Sequence, residues 1–379
     1  MAYENNHYVP RFILRQFGEY LSLYNVKDGS LRIGERTDHI FAERKIYPAD
    51  LEKDIGYELE SPFANLFHNK LMCGKSGDKI VLTRKEVLLM KRFYLLETIR
   101  VISMAEITKY ERAISDLYSS FFPDFKEKLI PNETDTDRWH RNIRVVIESE
   151  DLTQISKHPL CTYEVLKWAS IFSSGYFAIW DCAETEIDYL ISDIGMTSEV
   201  EPSKQADGYE HTKKDSLCTL FDRETNTFKK QGYQNILSAQ SLFHENFYMF
   251  PLSKKRMIVI VNPFFSLYDR KTKLTKPTGV WPTKIGDRRL FEKNESPKPM
   301  IIMGKPLYND DDEYSYTIKR VKVEDAEYIN MLMLDRIDTY MGYSDWKNIE
   351  SSVKRYIDFY SEINMEPPID YKALTEKAR

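Results

Sequence analysis

From Thr83 onward the chain is apolar almost all the way round a helical period, in Val87-Leu88-Leu89-Met90, Phe93-Tyr94-Leu95-Leu96, Ile99 and Val101-Ile102. A helix apolar on every side must lie inside something, and Lys91, Arg92, Glu97 and Arg100 within the run exclude a bilayer. The fold is therefore expected to wrap around this helix, with Thr83 or Asp78 near its cap. At ~100° per residue, Glu97 and Arg100 lie ~60° apart on the side of Leu89, Phe93 and Leu96, facing away from Lys91 and Thr98. A charge on a buried stripe must be paired or serve a site, because leaving it alone is costly. Two readings stand: a structural Glu97–Arg100 pair at i,i+3, or a Glu97 that faces His7 or a metal.

The second constraint is the opening stretch His7-Tyr8-Val9-Pro10-Arg11-Phe12-Ile13-Leu14-Arg15-Gln16-Phe17. Pro10 fixes its own φ and biases Val9 toward extended geometry, so His7 to Val9 should run extended into a helix starting near Pro10. Arg11 and Arg15 then share one face and Ile13 and Phe17 another. The two guanidiniums would meet a common target, either a carboxylate or a phosphate, since the planar fork of Arg suits both. The plain alternative is an N-terminal plug with salt-bridged arginines and a hydrogen-bonded His7.

This His-Tyr-Val-Pro start, with Leu14-Arg15 and Phe17, resembles the signature of the bacterial family called domain of unknown function 4238. Further blocks follow in the family's order: a Glu-bearing helix around Glu52 to Glu60, Arg92 to Arg100, a strand ending in Ser192-Asp193, and Phe250-Pro251-Leu252-Ser253. One turn departs from the pattern. The family often continues Ser-Asp with Asn-Pro, whereas Ile194-Gly195 follow here, so no role of that turn is carried over. The resemblance implies a single-domain protein, with some members in phage-defence loci.

At 379 residues the chain is long enough for a substantial core, and 42% apolar content argues against disorder. Charge is nearly balanced at −5, so nucleic acid would need a local basic patch. Candidate patches are Arg138, Arg141 and Arg144 beside Trp139 and His140, then Lys254-Lys255-Arg256, and the loop Arg270 to Arg289. The bland reading of each is a solvated surface. Four cysteines without a CxxC spacing suggest neither a disulfide framework nor a zinc knuckle, and no signal pattern is read. A cytoplasmic chain without a membrane segment is expected. Phosphate-loop, dinucleotide, nucleophile-elbow and zincin motifs are absent.

Along the chain, Tyr20 to Val26 and Ser30 to Arg36 read as a hairpin, and Ala49 to Leu71 as a helix that Pro62 kinks or restarts. Asp116 to Lys128 and Thr162 to Ala183 read as helices. Ile187 to Ile191 reads as a strand that pairs with Met257 to Val261. Asn235 to Phe243 reads as a helix, and Val323 to Tyr340 and Asp345 to Ile363 close the chain as two more. Of Glu52, Asp54, Glu58 and Glu60, most are expected in solvent as helix-dipole complements, and Glu60, next to the apolar run, is kept as a site residue.

These readings give an α+β fold: a mainly helical single large domain, 1–379, with a small mixed β-sheet and an N-terminal β-hairpin. Its parts are the N-terminal motif and hairpin (1–48), a central helical layer (49–183), a strand-containing part (184–322) and C-terminal helices (323–363). The candidate catalytic set is His7, Glu60, Glu97 and Asp193, with Tyr8, Arg11, Arg15 and Arg100 to bind substrate. The expected function is an antiviral effector, a metal-dependent nuclease or related hydrolase. Its alternative is a non-catalytic sensor binding a nucleotide, nucleic acid or phage component. A divalent metal is the candidate cofactor, and nucleic acid, a protein partner or a second copy of the chain are the candidate partners.

Overall fold

The computed structural model describes residues 5–44, 46–100, 122, 124–174, 176–202, 221–222, 227–228, 244–261, 300–302, 305–307, 309–362 and 366–378. The architecture is α+β. Strand β1 (Asn5–His7) leads through Pro10 into a single helical turn, α1 (Arg11–Leu14), followed by the expected hairpin of β2 (Tyr20–Asn25) and β3 (Leu31–Arg36). Strand β4 (Ala42–Arg44) returns to pair antiparallel with β1, placing His7 opposite Ala42. A helical rod follows as α2 (Ala49–Ile55), a π turn (Gly56–Glu60), α3 (Ser61–Leu66) and a second π turn (Phe67–Leu71). Helix α3 restarts at Ser61 with Pro62 in its first turn, where a missing N–H costs nothing.

After β5 (Lys79–Thr83), the long apolar helix α4 (Arg84–Ile99) begins at a capping box in which Thr83 and Glu86 exchange hydrogen bonds. Helix α5 (Asp135–Glu148) starts the same way from Thr134 and Asp137, and α6 (Tyr163–Ser174) runs into β6 (Tyr176–Asp181). The strands continue as β7 (Ile191–Ser192), β8 (Thr197–Pro202), β9 (Phe221–Asp222) paired with β10 (Thr227–Phe228), β11 (His244–Pro251), β12 (Arg256–Val261), β13 (Met300–Ile302) paired with β14 (Lys305–Leu307), and β15 (Glu313–Arg320). Helix α7 (Val323–Leu334), β16 (Tyr340–Tyr343), α8 (Glu350–Glu362) and α9 (Lys372–Lys377) end the described chain.

The central sheet is mixed and six-stranded, in the order β5-β15-β6-β12-β11-β8, with β15 and β6 parallel and the other neighbours antiparallel. It is larger than the small sheet the sequence suggested. Alternate residues of β6 enter two different cores: Phe177 and Ile179 pack with α4 and α6, whereas Ala178 and Trp180 pack with α7 and α8. A strand buried on both faces reads as a continuous apolar run, which periodicity alone does not separate from a helix. For that reason the predicted helix Thr162 to Ala183 is instead α6 followed by β6, and β12 pairs with β6 rather than with Ile187 to Ile191. Strand β7 belongs to the second sheet, β3-β2-β16-β7.

Two basic patches also read differently in three dimensions. Arg138 and Arg141 are buried: Arg138 bonds Glu127 (2.6 Å) and Glu164 (2.7 Å), and Arg141 bonds Glu133 (2.7 Å). Arg144 pairs with Asp50 at the surface. In the second patch, Lys255 meets Asp188 at 2.9 Å, and buried Arg256 holds Asp181 together with the carbonyl oxygens of Leu71, Cys73 and Gly74. These cations tie separate segments together. The predicted helix Asn235 to Phe243, the loop Arg270 to Arg289 and residues 116–121 of the predicted helix Asp116 to Lys128 lie outside the described residues, and 124–128 are not helical. Among the described residues no helix is long and apolar enough to cross a membrane.

Removing one partner of a buried ionic network strands the other charges, so Arg138→Ala is expected to cost ~3–5 kcal/mol in urea unfolding. Arg144→Ala, at an exposed pair, should leave the midpoint unchanged. A neutral Arg138→Ala would mean that the network contributes nothing.

Candidate functional site

The site is built around Arg100, the last residue of the α4 turn, whose side chain is only 1% exposed. Its Nη1 donates to Glu60 Oε1 at 2.6 Å, and its Nε donates to the Tyr8 carbonyl oxygen at 3.1 Å. Glu97 Oε1 sits 3.0 Å from the same Nε. One guanidinium thereby joins β1, the π turn and α4. The π turn sets Glu60 at the edge of the cluster with 28% of its side chain exposed, while stacking of Phe63 on Phe93 (3.7 Å between ring centroids) fixes the rod against α4.

Around this pairing stand groups that the sequence did not single out. Asn6 is buried in β1 and accepts the backbone amides of Ile46 (2.9 Å) and Tyr47 (3.4 Å) through its Oδ1. Its side chain also hydrogen-bonds Glu52, the residue expected in solvent, whose carboxyl is raised by burial and by Glu60. Tyr47 is buried beside Arg100, Glu52, Glu97 and Glu60. Trp139 Nε1 donates to the Ile99 carbonyl (2.9 Å) and His140 Nε2 lies 3.0 Å from the Ile46 carbonyl, so α5 latches the end of α4 to the Tyr47 segment.

The electrostatics set unusual proton occupancies. Burial pushes the His7 ring down to about 4, helped by Arg11 and Arg100 and opposed by the Ile40 carbonyl and Glu60, so the ring is neutral at pH 7. Burial pushes Glu97 up against the pull of Arg100, so its proton is held more tightly than that of an ordinary carboxyl. Burial alone would lower Arg100, but Glu97 and Glu60 outweigh it and hold the guanidinium charged. Among the described residues, His7 Nδ1, Tyr47 Oη and Arg100 Nη2 have no hydrogen-bond partner. Buried polar atoms are ordinarily paired, so a concentration of unpaired ones at one place points to a ligand site.

The candidate residues thus divide. Glu60, Glu97 and Arg100 are brought together, with the backbone of Tyr8, and His7 lies in the field of Arg100 and Glu60. Arg11 and Arg15 meet a common target as their spacing predicts: both donate to Asp38 Oδ1, at 2.7 and 3.1 Å, and Arg11 also acts on His7. These bonds, that of Arg11 first, hold the Asp38 carboxyl down at about 2. Asp193 acts on the Tyr8 side chain. It is buried, and its Oδ2 accepts the amides of Thr339 and Tyr340, both at 2.8 Å, the bonding expected of a turn-forming Asp. Two residues on, Gly195 has φ +69°, which neither proline nor a bulky residue adopts readily, and a Cβ there would meet Val9 Cγ2 at 3.0 Å. The Ile194-Gly195 turn is therefore shaped to the opening motif. Among the described residues no three of His, Cys, Asp and Glu group as a metal-holding set.

Because Glu97 binds its proton more tightly in the folded chain than the ordinary 4.5, the native state holds the extra proton between about 4.5 and about 8. Stability from this group is then lost as pH rises through that window. Glu97→Gln should flatten the decline of unfolding free energy between pH 5 and 8; an unchanged slope in the variant would contradict the assignment.

No curated protein and no solved structure matches the chain. The family model described as protein of unknown function (DUF4238) matches residues 5–337, a span that carries every residue of this site, and the chain belongs to that family.

Proposed function

We propose that this protein is a hydrolytic effector that cleaves phosphodiester bonds, a nuclease or related hydrolase of bacterial antiviral defence acting in the cytoplasm. The observation that carries this reading is the gathering of Glu60 and Glu97 on a buried guanidinium with a donor to spare, beside the Tyr8 carbonyl, with the neutral His7 ring in the field of Arg100 and Glu60. Groups whose environments push their proton affinities apart supply an acid and a base at one pH. In this reading His7 takes the proton of the attacking water as the new P–O bond forms. Arg100 Nη2 stabilises the charge on the phosphoryl oxygens, and Glu97 protonates the leaving oxygen as the old P–O bond breaks. Glu60 orients Arg100, while Arg11 and Arg15 neutralise substrate charge. A divalent metal, where it takes part, would be held by Glu60 with water and the substrate phosphate completing its shell, leaving His7 free as the base, and would supply Lewis-acid polarisation of the phosphate. The two cores share the central sheet, which supports reading residues 1–379 as one mainly helical domain.

The second reading is a non-catalytic sensor that binds a nucleotide, nucleic acid or phage component. Arg11 and Arg15, 33% and 56% exposed, would bind that ligand, whereas Arg100 and Glu97, 1% and 10% exposed, would only brace the pocket. Purified protein should be tested on single-stranded DNA, duplex DNA and tRNA with magnesium, manganese or a chelator, against a His7→Ala variant of matched thermal stability. The hydrolase reading expects cleavage that falls ~10²–10⁴-fold in the variant. Binding without cleavage under every condition would replace it with the sensor, and undiminished cleavage by the variant would remove His7 from the mechanism.

A further inference from the structure

We propose that the concavity beside α1 is a second phosphate subsite, so that this site takes a polynucleotide strand rather than a mononucleotide. The inference rests on the phosphodiester reading above. The concavity has a volume of about 320 Å³ and is lined by Arg15, Glu19, Arg36, Thr37 and Asp38. Asp38 carries three guanidiniums at once: Arg11 (2.7 Å) and Arg15 (3.1 Å) on Oδ1, and Arg36 (3.4 Å) on Oδ2. A carboxylate offers about four lone-pair sites, whereas each guanidinium carries about five N–H donors. Asp38 therefore leaves most donors unused, and Arg15 and Arg36, 56% and 54% exposed, present theirs to the concavity.

The lining itself is balanced, Arg15 and Arg36 against Glu19 and Asp38, and Arg11, bonded to Asp38 from outside the lining, adds a third guanidinium to the cluster. Arg11 connects it to the chemistry, because its guanidinium bonds Asp38 and also acts on the His7 ring. A strand whose scissile phosphate lies at His7 and Arg100 would set a neighbouring phosphate between Arg15 and Arg36, in the fork geometry that Arg offers a phosphate. Asp38 holds those forks in place before the strand arrives, which lowers the ordering cost of binding.

The test is binding of a labelled single-stranded 12-mer in the presence of chelator, with a mononucleotide and an acidic peptide of equal charge as comparison ligands. It uses the full chain, an Arg15→Gln/Arg36→Gln double variant and His7→Ala. The double variant is expected to bind the 12-mer about tenfold more weakly, with a salt slope shallower by ~0.7 for each phosphate that the protein no longer neutralises. Its melting temperature should be unchanged and its mononucleotide affinity should fall less than its affinity for the 12-mer, whereas His7→Ala should keep the wild-type preference for the 12-mer over the mononucleotide. Equal affinity and salt slope in the double variant, a preference for the peptide, or no binding of the 12-mer by the wild type would each overturn the subsite. Cleavage by the double variant with unaltered oligonucleotide binding refutes the subsite and leaves the hydrolase reading standing. Subsite-dependent binding without cleavage under any metal condition does the reverse.

Discussion

A guanidinium buried to 1% exposure is expensive unless its charge is met, and the arrangement around Arg100 is organised to meet it. Glu60 comes from the π turn, Glu97 from one helical turn earlier, and the Tyr8 carbonyl from the segment after β1. Each is delivered by a different packing event: Phe63 stacked on Phe93, the i,i+3 geometry of α4, and the pairing of β1 with β4. Losing a carboxylate would leave charge unbalanced in the interior, and losing the carbonyl would leave a buried donor unpaired. The same need explains why β1, three residues long, can hold its place: Asn6 bonds the Ile46 and Tyr47 amides on one side, and Arg100 bonds the Tyr8 carbonyl on the other.

The surrounding fold repeats this logic. Arg138 with Arg141 and Arg256 with Asp181 are buried cations that bind distant segments, and Asp193 and Asp188 are buried carboxylates doing the same. The Arg100 cluster is incomplete, as Asp193 is at its Oδ1. Its donors and acceptors outnumber the bonds made among the described residues, and it opens through Glu60 toward the surface, with Arg11 linking His7 to the Asp38 concavity.

Features set by neighbours in sequence were legible without coordinates. The hairpin of β2 and β3, the start of α4 after Thr83, the i,i+4 convergence of Arg11 and Arg15 and the i,i+3 approach of Glu97 to Arg100 all follow from local spacing. Features set by distant partners were not. Glu52 looked like a dipole complement because its Asn6 partner lies 46 positions earlier. Arg138 and Arg141 looked like a surface stripe because Glu127, Glu133 and Glu164 arrive from other segments. Strand β6 passed for helix because both of its faces are buried. Tyr47 carried no signal, since one tyrosine among 25 stands out only when its neighbours are known.

The central claim is that His7 sits in the combined field of Arg11, Arg100 and Glu60, and the direct measurement is the titration of its ring by NMR in the wild type, Arg11→Gln and Glu60→Gln. The account predicts a wild-type midpoint near 4, raised when the Arg11 charge is removed and lowered when that of Glu60 is removed. A midpoint at the ordinary 6.5 that neither substitution moves would place His7 outside the cluster and contradict the account.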